Sequence, residues 1–270
     1  MISFVTVSYN TTSAIKELYG SLVLSRLDMQ WELVVVDNAC DANLELFCRE
    51  HRIVHQCPGL NVGFSRACNI GASISKGDIL YFINPDSIIL AASTGAFDDV
   101  EDGVVYLPQI DEGVTNVFQA KLMRAPTYRA LYRKNLVWSR GAGVILTKNT
   151  FKSIGGWSED YFLYAEDLDF FYRFYVARTP IRVVSCFQVH YGGKSSETVF
   201  CSLGRQKMIA RSLLIFYKKW GMYSDMYVFY PGLLFVKMLR RPLSAWQPFV
   251  AYVYELGSGL MRGAKNQFGA

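Results

Sequence analysis

The sequence predicts an α/β protein: a mixed, mostly parallel, Rossmann-like sheet flanked by helices, with a helical extension at the C-terminal end. Three observations carry this. Short β-rich runs alternate with amphipathic segments over the first hundred residues, the pattern of parallel strands joined by crossover helices. Leu33, Val34, Val35 and Val36 form an unbroken apolar run, as a strand covered by helices on both faces requires. From about Leu203 onward the pattern becomes helical and amphipathic.

Taken in order, Ile2–Val7 is a short β-rich run, Ser13–Leu24 a helix and Glu32–Asp37 the apolar strand. A helical segment near residues 65–75 precedes a further strand over Ile79–Ile83. Residues 108–135 show weak periodicity and mixed charge and read as a variable excursion, after which order resumes over Val137–Thr147. Tyr164 to Val176 predicts a helix, with Glu166, Asp167 and Asp169 near its start, where the macrodipole favours carboxylates. Ile181–Ser185 reads as a last strand, and Pro231, Pro242 and Pro248 are expected to break the helices that follow. The domain reading is a main α/β domain over residues 1–200 and a basic, amphipathic helical tail over 201–270.

Composition narrows the class. With 51% hydrophobic and 19% charged residues the chain can bury a substantial core, which excludes wholesale disorder. The six cysteines, at 40, 48, 57, 68, 186 and 201, include no C-x-x-C pair and no set at zinc spacing, and are expected as reduced cytosolic thiols. A strand beginning at Ile2 leaves no secretory leader to expect, so the expected location is cytoplasmic. The formal charge of +5 is unevenly spread: residues 201–270 hold 10 Lys and Arg against 2 Asp and Glu, leaving 18 against 21 in residues 1–200. Trp220, Tyr223, Tyr227, Phe229, Tyr230, Phe235 and Trp246 interleave with Lys218, Lys219, Lys237, Arg240 and Arg241, a mixture suited to an anionic membrane surface. Packing onto the main domain is the other reading of those aromatics. The apolar stretches Met226–Val236 and Pro242–Tyr254 are shorter than the roughly 18 residues of a spanning helix.

Several short motifs fall where strands of such a sheet end, the edge at which ligands bind. Asp37 closes its apolar strand and can accept hydrogen bonds from a ribose or base, or cap the next helix. Asn61-x-Gly63-Phe64-x-Arg66-x-x-Asn69-x-Gly71 joins glycines that permit close backbone approach to an arginine suited to phosphate, or forms a turn and an ordinary helix. Asn84-Pro85-Asp86 offers oxygen ligands to a hard cation and is equally a turn sequence. Crowded carboxylates raise one another's pKa, which suits one of Glu166, Asp167 and Asp169 to proton transfer; acids on a solvated helix start are the alternative. His190, one of three histidines, follows a strand in a glycine-containing segment.

Their order is more telling than any one of them. Val7-Ser8-Tyr9-Asn10, Val36-Asp37-Asn38, Asn61-Val62-Gly63-Phe64 with Asn69-Ile70-Gly71, Asn84-Pro85-Asp86, Arg140-Gly141-Ala142, Gly155-Gly156-Trp157, Phe162-Leu163-Tyr164-x-Glu166-Asp167-x-Asp169 and His190 together resemble the family-two glycosyltransferases, most of all the bacterial rhamnosyltransferase-type branch. The likeness covers roughly residues 1–195. It implies a GT-A fold, a nucleotide-diphosphate sugar donor, Mg²⁺ or Mn²⁺, and inversion at the anomeric carbon. It further implies that Tyr9, Asn10, Asp37, Arg66, Asn84 and Asp86 bind the donor, that Asp86 and His190 hold the metal, that Asp167 is the general base, and that Glu166 and Trp157 lie near the acceptor. The acceptor implied is a saccharide, lipid-linked if the tail meets a membrane. Two positions depart from the pattern: Asn84 replaces a metal-binding Asp, and Ser158 stands where many relatives carry Asp.

Other functions fit less of the chain. A sugar-phosphate nucleotidyltransferase calls for a glycine-rich, basic loop after the first strand, where this chain has Val7-Ser8-Tyr9-Asn10-Thr11-Thr12. A nucleic-acid-binding module would use the basic tail but leave the acidic cluster unexplained, so no nucleic acid is expected as a partner. A sugar-binding relative without catalysis would have no need of both Asp86 and Asp167.

Overall fold

The computed structural model describes residues 1–111, 117–118, 123–124, 137–138, 143–191 and 202–267. The chain divides into two compact units, Met1–Leu122 with Ser139–Phe162 and Glu166–Ser195, and Met123–Trp138 with Leu163–Ala165 and Ser196–Ala270.

The first unit is a mixed, mostly parallel sheet flanked by helices. Strand β1 (Ile2–Ser8) is central, with β2 (Trp31–Asp37) parallel on one side and β4 (Ile79–Phe82) parallel on the other, and β3 (Val54–Gln56) extends the parallel set beyond β2. Helices α1 (Thr12–Leu24), α2 (Ala42–Glu50) and α3 (Phe64–Ile74) make the crossovers. Ile2, Phe4, Leu33 and Val35 on one sheet face, with Ile15, Leu18 and Leu22 of α1, form the centre of the core. On the opposite face α3 lies so close to β1 that a Cβ on Gly71 would sit 2.4 Å from Val5 Cγ1.

Beyond β4 the sheet turns mixed. After β5 (Ser87–Ala92), β6 (Val105–Asp111) and β7 (Val117–Phe118) come the paired β8 (Met123–Arg124) and β9 (Val137–Trp138), then β10 (Val144–Thr147), and the full order is β3-β2-β1-β4-β10-β6-β11-β5, with β7 beside β6 and β11 spanning Ile181–Tyr191. Strand β10 is antiparallel to both β4 and β6, whereas β11 runs parallel to β6 and antiparallel to β5. Residues 108–111, expected within the excursion, therefore continue a strand, and the last strand runs to Tyr191 instead of Ser185 because it pairs on both sides. Residues Arg140, Gly141 and Ala142 lie outside the described residues.

Helix α4 (Lys148–Ser153) follows β10, and α5 (Glu166–Ala177) begins two residues later than the sequence suggests. The cause is local: Tyr164 and Ala165 take φ values of 69° and 61°, a left-handed pair that cannot belong to the helix.

The second unit contains the β8–β9 ribbon, α6 (Ser202–Lys219), a π-helical turn over Asp225–Phe229, α7 (Tyr230–Arg240) and α8 (Pro242–Gln267). Pro242 opens α8, where a missing N–H costs nothing, whereas Pro231 follows the π-helical turn within a continuous helical run and Pro248 lies inside α8; neither of these two ends its helix, contrary to the expected break. Tyr252 is buried and donates to the Met226 carbonyl at 2.9 Å, its ring lying 4.8 Å from that of Tyr230. Among the described residues no helix is long and apolar enough to cross a membrane.

Candidate active site

Parallel pairing fixes which ends of the strands meet. Ser8 is level with Asp37 and Val5 with Phe82, so Tyr9-Asn10, Asp37-Asn38 and Asn84-Pro85-Asp86 leave the sheet along one edge. Asn10 is exposed with a left-handed φ of 57°, and Tyr9 is half-buried. Asn38 then draws in a fourth segment: its Nδ2 donates to the Gly63 carbonyl at 3.2 Å, and its Oδ1 accepts from Val62 N at 3.4 Å.

Gly63 brings in a fifth. Phe64 N donates to the Phe162 carbonyl at 2.8 Å, and a Cβ on Gly63, whose φ is 83°, would stand 2.5 Å from that oxygen. The glycine that the sequence offered for approach to a phosphate is thus needed for approach to the chain's own backbone. Phe162 leads directly to Glu166 and Asp167. A sixth segment arrives through the sheet, since β11 places His190 opposite Ile88 and Tyr191 opposite Ser87, beside the end of the Asn84–Ser87 turn. In that turn Ser87 N donates to the Asn84 carbonyl at 3.2 Å, so the Asn-Pro-Asp sequence does form a turn, with Asp86 half-buried within it.

Asp37 is fully buried, and its two oxygens accept from Ala39 N at 3.1 Å and Asp41 N at 2.7 Å, with His55 Nε2 at 3.5 Å. The carboxylate organises the loop after β2; the cap of α2 is Asp41, which accepts from Asn43 N and from the Thr12 hydroxyl. The same loop is tied to the one after β3 by a Cys40–Cys57 disulfide with Cα atoms 5.2 Å apart. This corrects the expectation of free thiols at those two positions, whereas Cys48 and Cys68 are free and buried. Arg66 is exposed on the first turn of α3, paired loosely with Glu159 at 3.9 Å, a contact weak enough to yield to a phosphate.

The three acids at the start of α5 have separate fates. Asp169 is buried, receives Arg173 Nε at 2.9 Å and the Tyr161 hydroxyl at 3.3 Å, and so belongs to an internal ion pair. Glu166 is buried, and burial first, with the Asp167 charge second, pushes its pKa up to about 8. Asp167 is half-exposed, one oxygen accepting from Leu168 N at 2.7 Å.

Trp157 differs from its expected place beside an acceptor. It is 1% exposed, stacked on Phe170 at 4.1 Å and 11°, with Phe82 and Phe64 edge-on at 5.4 and 5.7 Å. Its ring has no open face for a sugar in this structure, and it packs α5 against the end of β4; Phe162, 48% exposed, is the ring that the neighbouring loop shows to solvent. Sequence reasoning did not find what holds Trp157. Asn69 Oδ1 accepts from Trp157 N at 2.9 Å, and Asn69 Nδ2 donates to Trp157 O and Glu159 Oε1, each at 2.9 Å. No local pattern announces a clamp between residues 88 apart, although Asn69 was visible as part of its motif.

Among the described residues no three His, Cys, Asp or Glu side chains gather as a self-sufficient metal site. The strand register brings the backbone of His190 close to the end of the Asp86 turn, and a carboxylate and an imidazole are donor types that a divalent cation also coordinated by phosphate and water could use.

A family model decides the kinship: residues 3–164 match "Glycosyl transferase family 2". The chain belongs to glycosyltransferase family 2. Within this family context, the chain is 25% identical over 205 residues to the low-salt glycan biosynthesis hexosyltransferase Agl10 of Haloferax volcanii, covering 68% of this chain and 64% of the relative. It is 21% identical over 231 residues to the rhamnosyltransferase WbbL of Escherichia coli K12, covering 74% of this chain and 87% of that one. Two solved structures share the fold: S. aureus TarS 1–349 in complex with UDP, with TM-score 0.51, 18% identity and coverage of 79% and 65%, and GalNAc-T7 with UDP, GalNAc and Mn²⁺, with TM-score 0.56, 15% identity and coverage of 79% and 47%. The family 2 chain thus spans just under two thirds of the hexosyltransferase relative and of the TarS fragment.

Proposed function

We propose that this chain is an inverting glycosyltransferase that moves a sugar from a nucleotide-diphosphate donor to a hydroxyl of a saccharide acceptor. The observation that supports the reading is that the loop after Asp37, the Asn61–Phe64 segment leading to Arg66, and the Asp86 turn leave one edge of a family 2 sheet, with half-exposed Asp167 on the helix that follows the Phe162 loop. Tyr9, Asn10, Asp37, Arg66, Asn84 and Asp86 bind the donor in this scheme, and Asp86 with His190 holds Mg²⁺ or Mn²⁺. That cation, when bound, supplies positive charge to the leaving diphosphate.

A sugar hydroxyl is a poor nucleophile, so Asp167 takes its proton as the new bond forms, and attack from the face opposite the leaving group inverts the anomeric centre. Arg66 steadies the diphosphate, and Glu166 lies beside the acceptor hydroxyl. The name of the WbbL relative supports rhamnose as the sugar; dTDP-rhamnose as donor and a surface polysaccharide such as O-antigen as product complete the proposal. Asp167→Asn is expected to keep donor binding, read by calorimetry, and to lose roughly 10²–10⁴-fold in turnover. Normal turnover by that variant would remove Asp167 from the role.

The helical unit supports a lipid-linked acceptor at the cytoplasmic face of a membrane. On α7, Phe235, Val236 and Leu239 are exposed at helical spacing, and on α8 Trp246, Val250, Val253 and Tyr254 are exposed in the same way, close to exposed Lys237, Arg240 and Arg241. Apolar stripes beside cations suit helices lying in the plane of an anionic bilayer surface.

A further inference from the structure

We propose that Glu166 enters the reaction as a neutral acid, a positioning residue whose retained proton leaves the negative charge of the Glu166–Asp167 pair on Asp167 alone. The inference rests on the transfer reaction proposed above and deepens it by assigning the charge state of its acidic pair.

The geometry comes first. Glu166 is only 8% exposed, and among the described residues its Oε2 is buried without a hydrogen-bond partner. Among the described residues, the titratable groups that act on it are Asp167 on its own helix and the buried thiol of Cys68 on α3. Neither is a cation. A carboxylate with one oxygen closed off from water and from every donor is costly, whereas the protonated acid carries no charge to desolvate. The positive end of α5 does favour an anion, but half-exposed Asp167 in the same turn satisfies that preference at lower cost.

The Cys68 thiol reports the same environment, being pushed up by burial and then by Glu166. Burial and the Asp167 charge together raise Glu166 to about 8. Below that value the pair bears a single charge, located on the residue that can reach an acceptor hydroxyl. Above it a second negative charge appears beside the acceptor hydroxyl, next to that of Asp167, and transfer should fall.

The test is the pH profile of kcat/KM for the donor, measured on the full chain and on Glu166→Gln, which keeps the shape and the neutral charge. The wild-type chain should show an alkaline fall near pH 8, and Glu166→Gln should lose that fall. An alkaline fall that persists in Glu166→Gln, no fall in the wild type, or a variant as inactive at pH 7 as Asp167→Asn would each overturn the proposal. A readout independent of turnover is the ¹³C titration of labelled glutamate carboxyls in the wild-type chain. One carboxyl titrating near 8 supports the assignment, and none doing so overturns it. Should that carboxyl be present while Asp167→Asn turns over normally, Asp167 loses the base role and the neutral Glu166 stands.

Discussion

Glu166, Asp167 and Asp169 lie within one helical turn and meet three environments: the buried interior, partial solvent and an arginine. Their spacing announced an acidic cluster, but only packing distinguishes them, since the Arg173 partner of Asp169 is one of several possible neighbours until α5 is laid against the 154–161 loop. The raised pKa of Glu166 also has a stability consequence. The folded chain holds that proton more tightly than the unfolded chain does, so the contribution is fully present below the ordinary value of 4.5 and is lost as pH rises towards about 8. Stability should therefore decline across that window from this group alone. Thermal melts of wild type and Glu166→Gln at pH 5 and pH 8 measure it; the wild-type difference should exceed that of the variant.

At the scale of elements, loops are what the strands position and what local sequence describes least. The parallel strands β1, β2 and β4 were legible because burial on both faces leaves uninterrupted apolar runs, whereas β5 and β6 were not, being recognisable mainly by their partners in a mixed region. The Cys40–Cys57 bridge was likewise invisible, because a spacing of 17 residues says nothing about two loops meeting beside β2 and β3. Closing a loop of that length contributes roughly 3 kcal/mol. Cys57→Ser, or reduction, should therefore lower the denaturation midpoint and weaken donor binding through the Asp37 loop; a thiol count and denaturant titration with and without reductant check both. Disulfides are rare in reducing compartments, where the same pair stands as two thiols. Gly71→Ala gives a third element-level expectation: its Cβ would push α3 off Val5, costing about 1–3 kcal/mol in a melt.

Across the whole molecule, the stretch 201–270, with 10 basic residues against 2 acidic ones, falls in the second unit, which also takes in Met123–Trp138 and Leu163–Ala165, segments that charge does not mark out. What composition does not disclose is which aromatics are buried. Tyr252 lies inside and Trp246 outside, although both occupy the same uncharged stretch. If the exposed stripe of α7 meets anionic lipid, replacing Phe235, Val236 and Leu239 together by Ser should abolish sedimentation with phosphatidylglycerol vesicles while leaving the melting midpoint nearly unchanged. Added salt should weaken wild-type binding because the basic residues contribute to it. Unchanged sedimentation of the triple variant would give that stripe another role.

The Asn69 clamp makes two distant positions interchangeable only as a set. Any side chain at 156 would meet Asn69 Oδ1 at 2.9 Å on a backbone already at φ 68°, and any shorter residue at 69 would release the loop that presents Trp157. An engineer grafting a different 155–159 loop, to retune which alcohol is accepted, must therefore carry the matching residue on α3 along with it.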